Sequence, residues 1–265
     1  MAAVINSFPA SEIRMSGTLP PTFPAHDDGV MVMSEERLPF TVRLVRTEHE
    51  LAKAVAVRHA AYARHLPEFA EQLRQPELSD FSDECAVLLA ESRLDGSPLG
   101  TIRIHTNRRD PLPLEQSVEL PDWLCHGNSA EAARLGVTEG MAGHLVKTVL
   151  FKAFYLYCLN SGIDWMVIAG RSPIDRQYQR LLFQDVFPGQ GYVPLRHVSN
   201  LPHRIMCFDV ATAEARWARA GHPLYKFMVQ TQHPDLMLDQ PGPGVGHIEA
   251  ATKASSLGAV ARLPQ

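Results

Sequence analysis

Apolar and polar residues alternate along "FTVRLVR" from Phe40, the period of a strand with one face buried. Thr47 and Glu50 follow, three apart, which is the spacing of a capping box and predicts a helix through "ELAKAVAVRHAAYARH". "CAVLLAES", the turn "RLDGSP" and "LGTIRIHT" then predict a hairpin, with a glycine at the turn and β-branched residues after it. Beyond an irregular proline-rich passage, "AEAARLGV" reads as a strand and residues from about Met141 to Asn160 as a long helix. "DWMVIAG" reads as the next strand, "IDRQYQRLLFQDV" as a short polar helix, and "YVPLRHV" and "HRIMCFDV" as two last strands. The order β, α, β, β, β, α, β, α, β, β describes an α+β fold with a mixed sheet.

One spacing does not fit this pattern easily. Glu131 and Arg134 stand three apart in "EAARLGV". On a helix they would form a routine surface ion pair, but on a strand positions three apart point to opposite faces. A central strand running into a helix is expected to use both faces, one toward a reacting group and the other toward a carboxylate or the neighbouring layer.

Both ends break the periodicity. Residues 1–38 and 239–265 mix Pro, Ser, Gly and Asp without a sustained period and are expected to be disordered or flexible tails around a folded part over residues 40–238. With 45% apolar and 20% charged residues, a 265-residue chain can bury a substantial core. The net charge of −4 gives no overall reason to expect nucleic acid or an anionic membrane. Cys85, Cys125, Cys158 and Cys207 are too widely spaced for a zinc cluster or a disulfide framework, and the twelve histidines include no H-E-x-x-H, so no metal is expected. The start lacks the pattern of a signal peptide. The longest apolar stretch contains Lys147 and Lys152 and is too short to span a bilayer. A cytoplasmic protein without stable membrane insertion is expected.

The element order resembles the GNAT N-acyltransferase superfamily, in which the donor's pantetheine arm lies beside the strand that precedes the long helix. The fold that this implies is a mostly antiparallel mixed sheet flanked by helices over residues 40–238. Asp80 and Asp83 before one strand, Arg103 on the next, and the E-x-x-R of Glu131 and Arg134 are similar to the set found in acyl-homoserine lactone synthases. The downstream text, from "LFKAFYLYCL" to "LLFQDVFP", looks more like the related N-acyl amino acid synthases, which join a fatty acyl chain from a carrier protein to an amino acid's amine. All three tryptophans, Trp123, Trp165 and Trp217, fall late, whereas lactone synthases favour a tryptophan-rich N-terminal segment. The resemblance therefore implies an N-acyl amino acid synthase ahead of a lactone synthase. The reading from another class is an inactive GNAT-like domain that binds an acyl chain or a protein.

If the chain is such an enzyme, Glu131 is the candidate general base for the amino acid's ammonium. Arg103 and Arg134 are candidates to hold its carboxylate, with Asp80 and Asp83 on the substrate side or else capping a loop. Gly136 and Val137 are candidate amide donors to the tetrahedral intermediate, and Gly140 and Gly143 let backbone approach the donor. The turn reads "TEGMAGH" where acetyl-CoA-dependent relatives carry a diphosphate-binding pattern, and Glu139 would repel a diphosphate. Acyl carrier protein is thus the expected donor and partner, ahead of coenzyme A, with no resident cofactor. Phe183 stands where many relatives place a tyrosine that protonates the leaving thiolate, leaving Tyr178 and Tyr192 as substitutes. Five arginines between Arg171 and Arg204 face only Asp175 and Asp185, which fits either a solvated surface or the steering of an acidic carrier protein.

Overall fold

The computed structural model describes residues 33–238. Its strands are β1 (Ser34–Glu35), β2 (Phe40–Leu44), β3 (Cys85–Ser92), β4 (Pro98–Thr106), β5 (Ser129–Val137), β6 (Trp165–Gly170), β7 (Gln184–Asp185), β8 (Val193–Leu195), β9 (Leu201–Asp209), β10 (Thr231–Gln232) and β11 (Leu236–Met237). The α-helices are α1 (Glu48–Ala63), α2 (Pro67–Glu71), α3 (Asp122–Cys125), α4 (Gly140–Asn160), α5 (Asp175–Arg180) and α6 (Ala213–Arg219). The main sheet runs β11-β2-β3-β4-β5-β6-β9-β7, with β8 paired to β9. Only β11 with β2 and β5 with β6 are parallel within it, so the sheet is mixed and mostly antiparallel, as expected.

Alternation sorts most of the central strands into two faces. Leu88, Ala90, Ile102, Ile104 and Ala130 pack with Val146, Val149, Leu150 and Phe154 of α4. Val87 and Leu89 turn the other way, onto Leu51, Ala54 and Val55 of α1. The capping box of α1 is formed, Thr47 Oγ1 accepting from Glu50 N–H and Glu50 accepting in return from Thr47 N–H. The long helix α4 is mostly buried, and its Lys152 spends its ammonium donors inside the protein, on Phe227 O, Thr231 O and His233 Nδ1. No helix among the described residues is long and apolar enough to cross a membrane.

Several boundaries depart from the sequence reading. The tail expected up to residue 38 lies outside the described residues only for 1–32. Ser34 and Glu35 pair with Thr231 and Gln232, and buried Leu38 donates its N–H to Asp235. A partner far downstream in the chain, invisible to local composition, ties this segment down. The C-terminal tail from residue 239 lies outside the described residues. The helix expected through Val186 ends at Arg180, because Leu182 adopts φ 71° and the chain then extends into β7. "YVPLRHV" holds only a three-residue strand before a 3-10 turn over Arg196–Val198.

The spacing of Glu131 and Arg134 also resolves differently. Opposite β5, Thr101 pairs with Gly136 and Arg103 with Ala133, so β5 spends one residue more than β4 across this interval. Arg134 takes up the extra residue with φ 54°, a bulge in the left-handed region. The bulge reverses the alternation, so Glu131 and Arg134 share the α1 face instead of occupying opposite ones. Gly136 follows them there, and a Cβ on it would lie 3.0 Å from the Cα of Arg58 in α1.

Candidate active site

Two strands, α1 and the segment before β3 place a charged cluster on the α1 side of the sheet. Arg58 enters from α1, Arg103 from β4 and Arg134 from the bulge of β5, all at most 5% exposed. Two acids from the irregular segment before β3 meet them. Arg58 holds Asp80 with two hydrogen bonds of 2.9 and 2.8 Å, and Arg103 reaches the same carboxylate at 3.1 Å and Glu77 at 2.9 Å. Arg134 grips Glu77 from Nε at 2.8 Å and from a terminal nitrogen at 2.7 Å, and its guanidinium also donates to His197 O and lies over the Phe69 ring. Burial by itself pushes both carboxyls up, but the Arg134 bond on Glu77 and the Arg58 bond on Asp80, with the neighbouring arginine charges, hold them below their ordinary values. Three cations against two anions leave the cluster with a positive surplus.

Glu131 sits beside this cluster under different conditions. It is 1% exposed, and its protein partners are Leu114 N–H at 3.0 Å on Oε2 and His197 Nε2 at 3.5 Å from Oε1. Burial pushes its carboxyl up to about 7, against the opposing pull of the Leu114 amide and of Arg103 and Arg134. The result is a carboxyl balanced between its two forms near neutrality, the condition a general base needs. His105, opposite Glu131 on β4, is driven down to about 3 by burial and then by the same arginines.

The β5 ladder opens toward one side. Pairing with β6 covers Ser129–Ala132 against Trp165–Ile168, and among the described residues it goes no further. Ala133 to Val137 therefore keep β4 on one edge and leave β6 on the other. Where β5 ends, a groove of about 420 Å³ is lined by Arg64, His65, Val137, Thr138, Glu139, Gly140, Gly143, His144 and Lys147. A Cβ on Gly143 would lie 1.8 Å from Thr138 O, so glycine is what allows the first turn of α4 to press onto the end of β5. Gly140 takes φ 77° over open space, and no side chain caps the helix. Arg64 pairs with Glu139 at 3.2 Å, so the groove's carboxylate is neutralised and Lys147 adds a positive charge. A larger groove of about 560 Å³, lined in part by Leu51, Val55, His59 and Phe81, contains none of the expected site residues.

The sequence-predicted residues thus divide. Glu131, Arg103, Arg134 and Asp80 come together, while Gly136, Val137, Gly140 and Gly143 follow one another along the strand end and the groove. Asp83 does not join them; its side chain is 51% exposed and lies 3.7 Å from Arg109. Both candidate carboxylate-binding arginines already face internal acids. Phe183 is buried against Tyr178 and Phe208. Tyr192 donates to Asp175 at 2.7 Å, whereas Tyr178 is a buried phenol that burial keeps protonated. Arg58, Glu77 and His197 were not anticipated. Arg58 had a signal, since it continues the buried stripe of Leu51, Ala54 and Val55 at helical spacing. Glu77, in a proline-adjacent loop, and His197, in a 3-10 turn, had none.

Two solved structures show the same fold. FeeM, an N-acyl amino acid synthase from uncultured soil microbes, matches with a TM-score of 0.54 and 20% identity over 71% of this chain and 97% of its own. BjaI, a CoA-dependent acyl-homoserine lactone synthase, matches with a TM-score of 0.50 and 16% identity over 80% and 99%. No curated protein matches by sequence. The family model of the N-acyl amino acid synthase FeeM matches residues 53–225, more than half of the chain, from within α1 to the segment after α6. The protein is therefore an acyltransferase of GNAT-like fold and belongs to the FeeM family of N-acyl amino acid synthases.

Proposed function

We propose that the protein moves a long-chain fatty acyl group from acyl carrier protein to the amine of an amino acid, giving an N-acyl amino acid. The observation that carries this reading is Glu131, a buried carboxyl poised near neutrality on the strand whose far end forms the groove at the start of α4. Glu131 takes a proton from the substrate ammonium, and the freed nitrogen attacks the thioester carbonyl. As the C–N bond forms, the carbonyl oxygen becomes an oxyanion, for which the β5 edge released by β6 around Gly136 and Val137 is the proposed site. Collapse breaks the C–S bond and expels a thiolate, a leaving group of pKa about 8.5 that needs little help, and the excess proton still on the nitrogen passes to that sulfur, leaving a neutral amide and a thiol. The positive surplus of the arginine cluster favours entry of a carboxylate by its field rather than by a vacant guanidinium fork.

Two features favour carrier protein over coenzyme A. The α4 turn offers one uncapped helix start and little surplus charge, which suits a single phosphodiester better than a diphosphate. In addition, Lys147 donates to Gln177 at 2.6 Å, bringing α5 alongside the groove, and Arg176 and Arg180 of α5 are exposed there to meet an acidic surface. The test is to incubate the purified protein with a panel of amino acids and long-chain acyl carrier protein, and to follow products by mass spectrometry. N-acyl amino acids that form with wild type and nearly vanish with a folded Glu131→Gln variant support the reading. Formation of a lactone, or of no N-acyl product with any amino acid, overturns it.

A further inference from the structure

The ring of His197 stands beside Glu131 with its position fixed and one of its nitrogens left over. The 3-10 turn that carries it is tied on three sides. Arg196 N–H donates to Ser117 Oγ at 2.8 Å, Asn200 N–H donates to Leu195 O at 2.9 Å, and Arg134 donates to His197 O at 3.0 Å. Ser199 and Asn200 close the turn in the left-handed region. A backbone held this firmly delivers the ring to one place, with Nε2 3.5 Å from Glu131 Oε1 and Nδ1 buried without a hydrogen-bond partner among the described residues.

The surroundings decide where the ring's proton sits. The groups facing the pair are Arg103 and His105 from β4, Arg134 from β5, Glu77 from the loop before β3, Glu115 from the 3-10 turn after Leu112, and His203 from β9. Burial, then Arg134 and His203, push the His197 ring down to about 4, so it is neutral at physiological pH and carries a single N–H. On Nδ1 that proton would be a buried donor without an acceptor, and a lone pair on Nε2 would point at a carboxylate oxygen. On Nε2 it meets Oε1.

We propose that His197 is a positioning residue for Glu131, its Nε2–H donating to Oε1 of the ionised carboxylate and, with the Leu114 amide on Oε2, holding the base in one orientation and in its active form. The inference rests on the reading of Glu131 as the base. A hydrogen bond to the charged form favours it, so His197 opposes the burial that would otherwise keep Glu131 protonated.

An infrared titration between pH 5 and 9 tests this directly. The band of the protonated Glu131 carboxyl is identified by its loss in Glu131→Gln. In His197→Phe the band's midpoint should rise by about one pH unit, the size expected for losing one hydrogen bond to a charge, and in His197→Gln, which keeps an N–H donor, it should return toward wild type. The acidic limb of kcat should move with it. If the phenyl ring is not accommodated, His197→Ala takes its place. An unmoved midpoint overturns the role of His197 whatever the fate of Glu131. A midpoint that moves while the kcat limb stays upholds the coupling of His197 to Glu131 and overturns the base reading instead.

Discussion

Replacing Asp80 by Asn leaves the shape of the arginine cluster almost intact and removes one of its two negative charges. In wild type the Asp80 carboxylate takes two bonds from Arg58, one from Arg103 and one from Glu77 N–H, all within 3.1 Å. Asparagine keeps one acceptor oxygen, and its amide turns two N–H donors toward guanidinium groups that are themselves only donors. Arg58 is 2% exposed and Arg103 3%, so neither recovers hydration. Breaking a buried pair by removing one partner costs about 3–5 kcal/mol. With a urea slope of about 2–3 kcal/mol/M, the unfolding midpoint should fall by about 1–2.5 M. The acid limb supplies an independent check. The folded Asp80 carboxyl lies below its ordinary value, so its contribution is complete above the unfolded pKa of about 3.9 and is lost as pH falls through the folded one. Wild type should therefore lose stability below about pH 4 more steeply than Asp80→Asn. Urea unfolding followed by circular dichroism measures both effects. A midpoint shift below about 0.3 M would show that the cluster is hydrated or rearranged, and the argument for a buried lattice of charge would fail. The double variant Arg58→Met, Asp80→Leu, which exchanges the pair for apolar groups, should be more stable than the sum of the two single losses.

Other expectations follow from the same site. Glu131 has its folded carboxyl raised to about 7 against about 4.3 unfolded, so the native state binds the extra proton and stability should decline as pH rises from about 4 to about 7; Glu131→Gln should flatten that decline in pH-dependent urea titrations. Gly143→Ala sets a methyl group 1.8 Å from Thr138 O, which should cost about 1–3 kcal/mol and lower kcat/KM for the acyl donor more than it raises KM for the amino acid, as initial-rate kinetics would show. Arg176→Glu with Arg180→Glu should weaken acylated carrier protein as donor, most at low salt, and leave the matching acyl-CoA nearly unaffected; equal losses for both donors would remove α5 from the docking surface.

What the sequence displayed of this architecture were the elements whose stability is local or periodic. The capping box at Thr47, the hairpin around Gly96 and the long apolar run of α4 each announce themselves within about twenty residues, and each formed where expected. The site was legible only in part, because its geometry depends on exceptions to period. Arg134 bends the strand in a conformation that a non-glycine residue rarely adopts, so alternation predicted the wrong face for it. Glu77 and His197 reach the cluster from irregular segments whose positions depend on long-range contacts. The pairing of Ser34–Glu35 with Thr231–Gln232 spans nearly the whole described chain and leaves no local trace.

The bulge at Arg134 makes the phase of the strand something that can be edited. Upstream of it the odd-numbered residues Glu131 and Ala133 face α1, and downstream the even-numbered Gly136 does, while Leu135 and Val137 join the α4 layer. A chain one residue shorter between Arg134 and Gly136 would return to plain alternation. Glu131 and Gly136 would keep their faces, and Arg134 alone would cross to the apolar side, where no acid awaits it. A single deletion here therefore amounts to moving one positive charge through the sheet, whereas elsewhere along β5 the same edit would turn over every side chain beyond it.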